Sequence, residues 1–406
     1  MRIFGRSYFR FRAGVAAGAI AGVLLASVFL APGFAQKKKL PRPRQLDAGV
    51  EWQRDPATGV LKLKQSLFPD GSPSAHPRGV PPVETPTIRV HVNLVPVTCS
   101  VLAEDGTSLR GLTRGDFHLY DDGVEQKITY FDASQANASI ALLVDASPSV
   151  LRESTEIKEA ARAFARNLSP ADEISVVDFA AHSYLLLPFS RDRSLLDEAI
   201  GRVDVRNMVS DVGGTNIYEA IYLAARQLFA NRTGRKAVVL LTDGQDSGLG
   251  LTLDPATTSL RPGQPKDQLT FDDVAAALAD SDVQAFVITT QSRPKRMTPA
   301  WLAAHSNRAL VGPDARELEI PAYTLYLAEL VRRSGGQLYF LREAETLAES
   351  YRRIAASIGG EYTLGFVPAD AATVSAKPIW HSLRVEVPGH ADRVIHRGAY
   401  LAASGS

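Results

Sequence analysis

Asp145, Ser147 and Ser149 occupy alternate positions directly after the apolar run Ser139 to Val144. A short apolar run of that length reads as a buried strand. A carboxylate and two hydroxyls therefore emerge where the strand ends. Oxygen donors of this kind suit a hard cation such as Mg²⁺ and not a soft metal. Two other segments supply matching groups. Gly213-Gly214-Thr215-Asn216 precedes a helical pattern, and Leu240-Leu241-Thr242-Asp243-Gly244 ends a second apolar strand. Asp-x-Ser-x-Ser alone is a weak signal, because Asp and Ser are common turn residues. Three such segments in order, two of them at strand ends, carry far more information than one.

The elements that must position these groups alternate along the chain. Strands are expected over Ser139–Asp145, Ile174–Phe179, Tyr184–Pro188, Ala237–Thr242, Val283–Thr289 and Gln337–Leu341. Helical spacing marks Ile157 to Leu168, Leu195 to Val203, Ile217 to Phe229, Phe271–Ala279, Tyr323–Arg333 and Glu343–Ile358. Alternation of this kind argues for a parallel sheet with helices on both faces. Ligands of such sheets bind beyond the carboxyl ends of the strands, where strand order reverses. Asp145 and Asp243 each end a strand and so fall on one rim. Two long insertions, Asp246 to Gln268 and Gln291 to Pro321, follow strands that end on that rim. They read equally as a ligand-selecting border or as solvated excursions.

The ordered set Asp145-x-Ser147-x-Ser149, Thr215 and Asp243 resembles the metal-ion-dependent adhesion site of the von Willebrand factor type A (vWA) fold. The resemblance covers about residues 139 to 358. Flanking segments extend it to a bacterial vWA-related family, often labelled acidobacterial. They are Val92-Asn93-Leu94-Val95-Pro96-Val97, Gly111-Leu112-Thr113-Arg114-Gly115-Asp116-Phe117, Tyr120-Asp121-Asp122-Gly123-Val124-Glu125-Gln126 and Tyr362-Thr363-Leu364-Gly365-Phe366. It implies an α/β fold with a Rossmann-like, doubly wound, mostly parallel sheet, inserted in or flanked by a β-sandwich-like module. It also implies one Mg²⁺ (or Mn²⁺) held by Ser147, Ser149 and Thr215, with Asp145 and Asp243 acting largely through water. Neutral hydroxyls leave the ion's charge under-compensated, so the vacant position would take a Glu or Asp carboxylate from a partner protein. Pro148 stands between the serines where the family often has Gly. Proline fixes φ and removes an amide donor but leaves both hydroxyls in place.

The flanks are expected to be β-rich. Residues 87–135 read as an N-terminal β-module with a hairpin signal at Asp122-Gly123. Residues 359–406 read as C-terminal strands that pair with it, around a vWA domain at 136–358; two separate β appendages are the alternative. Residues 36–86 hold nine prolines of the 24 in the chain and read as a linker. At the N-terminus Arg2, Arg6, Arg10 and Arg12 precede an apolar stretch from Ala13 to Ala31, and Gly33-Phe34-Ala35 offers a small-x-small site before Gln36. This order predicts a signal peptide at 1–35 and a periplasmic or extracellular location, with an uncleaved membrane anchor as the alternative.

With 45 basic and 44 acidic residues, the chain lacks the basic footprint of a nucleic-acid binder. The single cysteine, Cys99, excludes an internal disulfide and reads as a small buried hydrophobe. No phosphate loop, nucleophile elbow or zinc-protease helix is present. A phosphoryl-transfer site built on Asp145 would need an acid two residues on, where Ser147 stands. A metal-dependent hydrolase is therefore set below two binding readings: an adhesion or interaction module, and an envelope scaffold whose metal only orders the loops.

Overall fold

The computed structural model describes residues 39–56, 59–63, 94–133, 137–150, 152–203, 215–249, 269–305, 310, 320–341, 347–359, 361–368, 379–390 and 393–402. The run Ala138–Asp145 is buried along its whole length and forms the middle of a seven-stranded sheet. Glu173–Phe179 lies parallel on one side of it and Arg235–Thr242 parallel on the other. Gln284–Thr289 and Leu338–Phe340 extend the second side, also in parallel. Ser183–Ser190 turns back antiparallel beyond Glu173–Phe179. The chain thus runs outward on one side, returns, and then runs outward on the other. Reversal falls between Ala138–Asp145 and Arg235–Thr242.

Alternate residues of the central strands point to opposite faces. Ala141, Leu143, Val177, Val238 and Leu240 join a core with the helices Ile217–Leu223, Phe271–Asp280 and Ala322–Ser334. Ile140, Leu142, Val144, Val176, Val239 and Leu241 join a second core with Ser154–Asn167, Arg193–Arg202 and Leu347–Gly359. Both faces are therefore covered, as a near-continuous apolar strand requires. The helix expected over Ile217 to Phe229 is α-helical only to Leu223 and continues as a π-helical turn, Ala224–Leu228. Within the second insertion a short helix forms at Pro299–Ala304. Of the first insertion, 250–268 lies outside the described residues.

The flanking strands interleave. Val95–Val101 from the N-terminal flank pairs with Glu361–Phe366 and Val394–His396 from the C-terminal flank. His118–Asp121 pairs with Ile379–Glu386. Two four-stranded sheets result, each containing strands from both flanks. Val97, Cys99, Val101, Leu119, Leu364, Phe366, Leu383, Val385 and Tyr400 fill the space between them. Cys99 is buried here, as its apolar setting implied. Asp122 and Gly123 both have positive φ, 46° and 84°, which is the backbone of the tight hairpin turn their sequence suggested.

The sandwich is fixed to the α/β domain by polar contacts. Ser100 and Ser108 hydroxyls donate to the carbonyls of Ser357 and Ala356. Gly398 N donates to Arg332 O at 2.7 Å, and the Arg332 guanidinium donates back to Gly398 O. Arg332 and Arg333 converge on Glu329, which is fully buried and also accepts from Leu310 N. Those hydrogen bonds and the two guanidinium charges outweigh the effect of burial and hold the Glu329 carboxyl below its ordinary value.

The linker reading needs correcting for residues 39–56 and 59–63, which form a packed strap. Arg44–Gln45 adds to the sheet edge, antiparallel to Ser183–Ser190. Trp52–Arg54 and Leu61–Leu63 form a small hairpin. Leu40, Leu46 and Leu61 are buried in the domain cores. Arg54 makes a two-pronged contact with Asp273 at 2.9 and 2.7 Å, and Tyr222 Oη donates to Leu61 O. Apolar anchors spaced along the strap outweigh its proline content. Residues 64–93 lie outside the described residues, as does the N-terminal stretch with its expected cleavage site. No helix among the described residues is long and apolar enough to cross a membrane.

Removing residues 36–63 should therefore destabilise the α/β domain. Each of the three buried leucines contributes about 1.5–3 kcal/mol, so several kcal/mol should be lost in urea unfolding. An unchanged midpoint would show that the strap is a passive linker.

Candidate metal centre

The central strand ends at Asp145, and the next strand over ends at Thr242. Asp145 Oδ2 accepts from Thr242 Oγ1 at 2.5 Å, and Asp145 Oδ1 accepts from Ser147 N at 2.9 Å. Thr242 Oγ1 in turn accepts from Gly244 N at 3.0 Å. The carboxylate is thus clamped between its own following loop and the neighbouring strand. Ser147 and Ser149 hydroxyls lie 3.0 Å apart, Ser147 buried and Ser149 exposed. Pro148 opens a short 3₁₀ turn, Pro148–Val150. The first position of a helical turn has no need of an amide donor, so proline is tolerated there.

Thr215 arrives on the loop before Ile217–Leu223 and is buried. Its loop is tied down on two sides. Ser247 N donates to Thr215 O at 2.8 Å, and Thr215 N donates to Ser247 Oγ. Asn216 N donates to Ala180 O, just past the Glu173–Phe179 strand. Ala146 N donates to Phe179 O, which binds the Asp145 loop to the same strand end. Asp243 is buried, and its Oδ1 accepts from Gln245 N at 2.9 Å. The loops carrying Asp145, Ser147, Ser149, Thr215 and Asp243 are therefore knitted together at one rim, around the point where strand order reverses.

Burial pushes the Asp145 carboxyl up to about 6, with the nearby Asp243 charge adding to the effect against the hydrogen bonds from Ser147 and Thr242. A buried carboxylate short of compensating positive charge, beside a second carboxylate and a hydroxyl pair, fits a divalent cation. Its donors are all oxygen, which favours a hard ion over a soft one.

Thr242, Gly244 and Tyr323 contribute to the site without any conspicuous signal of their own in the chain. Thr242 orients Asp145, yet a threonine at a strand end is an ordinary residue. Gly244 has φ of +84°, and a Cβ there would come within 3.0 Å of Leu327 and 3.4 Å of Tyr323. Tyr323 lies within reach of the Asp243 charge, although burial is the larger cause of its raised pKa. Asp178 is buried in the neighbouring strand, and Asp246 caps Ile217 N from across the rim. A separate trio, Asp121, Asp122 and His381, belongs to the sandwich. There Asp122 accepts from Ser382 N and Oγ and pairs with His381, which clasps the hairpin turn.

Residues 140–245 match the family model for the von Willebrand factor type A domain. A UPF0353 protein of Mycolicibacterium paratuberculosis (strain ATCC BAA-968 / K-10) is 26% identical over 231 residues, covering 55% of this chain. The match spans 61% of that relative's length. An aerotolerance-related membrane protein from Bacteroides fragilis NCTC 9343, carrying multiple mutations to serines, is similar in structure with a TM-score of 0.37 and 16% identity, over 55% of this chain and 98% of that one. A von Willebrand factor type A structure from Catenulispora acidiphila gives a TM-score of 0.35 at 16% identity, over 71% of each chain.

A carboxyl raised from 3.8 to about 6 makes its ionisation costly to the folded state. That cost is absent below the unfolded value near 3.8 and complete above about 6. Asp145→Asn should therefore stabilise the metal-free protein at pH 7.5, by on the order of 2–3 kcal/mol. The gain should shrink as pH falls through 6 toward 4. Thermal melts in chelator across that range check it, and a destabilised Asp145→Asn protein at pH 7.5 would contradict it.

Proposed function

Starting from a chain that carries a von Willebrand factor type A domain, we propose that it is an exported interaction module. In this reading it binds a partner protein through a metal-bridged carboxylate and catalyses nothing. The single observation that carries the reading is the buried Asp145 carboxylate, clamped by Ser147 N and Thr242 Oγ1 beside Asp243. Ser147, Ser149 and Thr215 would hold Mg²⁺ or Mn²⁺ through their hydroxyls, with Asp145 and Asp243 in supporting roles. The ion supplies positive charge at an open coordination position. This chain's own residues do the remaining work. Asp145 fixes the Ser147 loop, Thr242 fixes Asp145, and Ser247 fixes the Thr215 loop. A Glu or Asp carboxylate of the partner would complete the ion's oxygen shell, and surrounding loops would supply the discrimination that one carboxylate lacks.

Export rests on the charged, apolar and small-x-small order of residues 2–36. Mature protein should begin at Gln36 and lie outside the cytoplasm. Sequencing the N-terminus after cell fractionation checks this, and an intact Met1 in the membrane fraction would support the anchor instead. The non-enzymatic reading is supported by the donor set. Neither histidine nor cysteine stands among the five residues, and the second acid of an aspartyl phosphotransferase is replaced by Ser147.

Calorimetric titration with Mg²⁺ and with Mn²⁺ tests the centre. One site is expected, weakened about tenfold or more by Thr215→Ala and abolished by Asp145→Ala combined with Asp243→Ala. Capture of a partner from envelope extracts should require the same ion and be lost in chelator. Identical capture in chelator and in Mg²⁺ would make the metal structural and the protein a scaffold.

A further inference from the structure

A cavity opens beside the loops of the metal centre. It is lined by Trp52, Asn216, Glu219, Asp246, Gly248, Leu249 and Leu269, with a volume of ≈ 230 Å³. Pockets that enclose drug-sized molecules run to roughly 300–1,000 Å³, so this one suits a single side chain or a small amine. Its walls combine one indole, two leucines and two carboxylates, with no lysine or arginine among the described lining residues.

The two carboxylates are not equivalent. Asp246 Oδ1 accepts from Ile217 N and its Oδ2 from Leu249 N, both at 2.8 Å, and the amides of Tyr218 and Gly248 also lie against it. Its oxygens are committed to backbone. It contributes charge to the wall but has little capacity left to ligate a metal ion. Glu219 is different. Among the described residues it accepts only a long contact of 3.4 Å from Asn216 Nδ2, whose shorter bond, 2.8 Å, goes to Ala181 O. Burial and the charges of Asp47 and Asp246 push its carboxyl up to about 7, with His182 opposing them. The cavity therefore brings together two carboxyl groups, one of them with open acceptor capacity among the described residues, and an aromatic side chain. A point-like metal ion needs several free oxygens, and among the described lining residues Glu219 alone offers them. A cation on an apolar stem would meet the leucines with its stem, Glu219 with its charge, and the face of an indole where the ring is accessible.

We propose that this cavity is a binding site for an organic cation, a guanidinium or primary ammonium group on a short alkyl stem. The site joins the strap, through Trp52, to the two loops that carry Thr215 and Asp243. Occupancy would pin the strap against the α/β domain. It is independent of the metal reading, since neither Glu219 nor Trp52 takes part in that centre.

The test uses the full chain in chelator, so that no carboxylate–metal contact contributes. Agmatine, the capped peptide acetyl-Gly-Arg-Gly-amide and neutral N-butylurea are titrated by calorimetry, with tryptophan fluorescence as a second readout. Agmatine should saturate and butylurea should not. Saturation by the peptide as well assigns the site to a basic side chain; saturation by agmatine alone assigns it to a free amine. Glu219→Gln should weaken binding about tenfold or more, equivalent to about 1.4 kcal/mol. Trp52→Leu should weaken it and remove any fluorescence change. Circular dichroism confirms that each variant is folded. If Glu219→Gln does not fold, the Trp52→Leu titration decides alone. Equal binding of agmatine and butylurea, no saturable agmatine binding, or an unchanged affinity in a folded Glu219→Gln or Trp52→Leu protein overturns the proposal.

Discussion

A carboxylate buried at the end of the central strand is the constraint on which the rest of the site depends. Asp145 cannot be left there without donors, because a buried unpaired charge is far more costly than an exposed one. Thr242 and Ser147 satisfy it, and in doing so they lock the ends of two neighbouring strands together. The parallel register of those strands, with Val144 opposite Leu241, brings the two residues level. Even so, burial leaves the group strained toward protonation. Residual strain of this kind marks a place where folding has not been optimised for its own sake, and a positive charge arriving from outside is the natural relief.

The same sheet explains how the flanks come to be one module. Both termini of the α/β domain leave it near the helix Leu347–Gly359 and the start of the central strand. Val95–Val101 presents Val97, Cys99 and Val101 to the sandwich core, while Ser100 on the opposite face reaches Ser357. One strand thus serves two domains through the two-residue period of its side chains. Gly398 sits so close to Arg332 that a Cβ would come within 2.8 Å of its carbonyl oxygen, so the return of the chain is moulded to the helix end it passes.

Much of this was legible in the chain because the signals are periodic. The strand from Ser139, the helix after Thr215 and the Asp122-Gly123 turn all follow from apolar spacing or backbone preference. The rim residues were legible because a carboxylate and hydroxyls at alternate positions after an apolar run are chemically conspicuous. What escaped notice has neither property. Thr242 differs from any strand threonine only in what stands opposite it. The π-helical turn at Ala224–Leu228 changes hydrogen bonding without changing the apolar pattern. The strap consists of strands of two and three residues, too short for any period to show, in a stretch whose prolines argued for a linker.

Those two residues at Arg44–Gln45 also have a bearing on solubility. An antiparallel border strand such as Ser183–Ser190 offers a row of free amides and carbonyls to any extended chain it meets. The strap occupies part of that row, with Leu46 N donating to Ser183 O just beyond it. On the far border, Leu338–Phe340 is only three residues long and offers little purchase. Both margins of the sheet are thereby blunted against edge-to-edge aggregation, one by brevity and the other by a piece of the same chain. A border strand paired with its own chain has that much less backbone left to recruit a second copy.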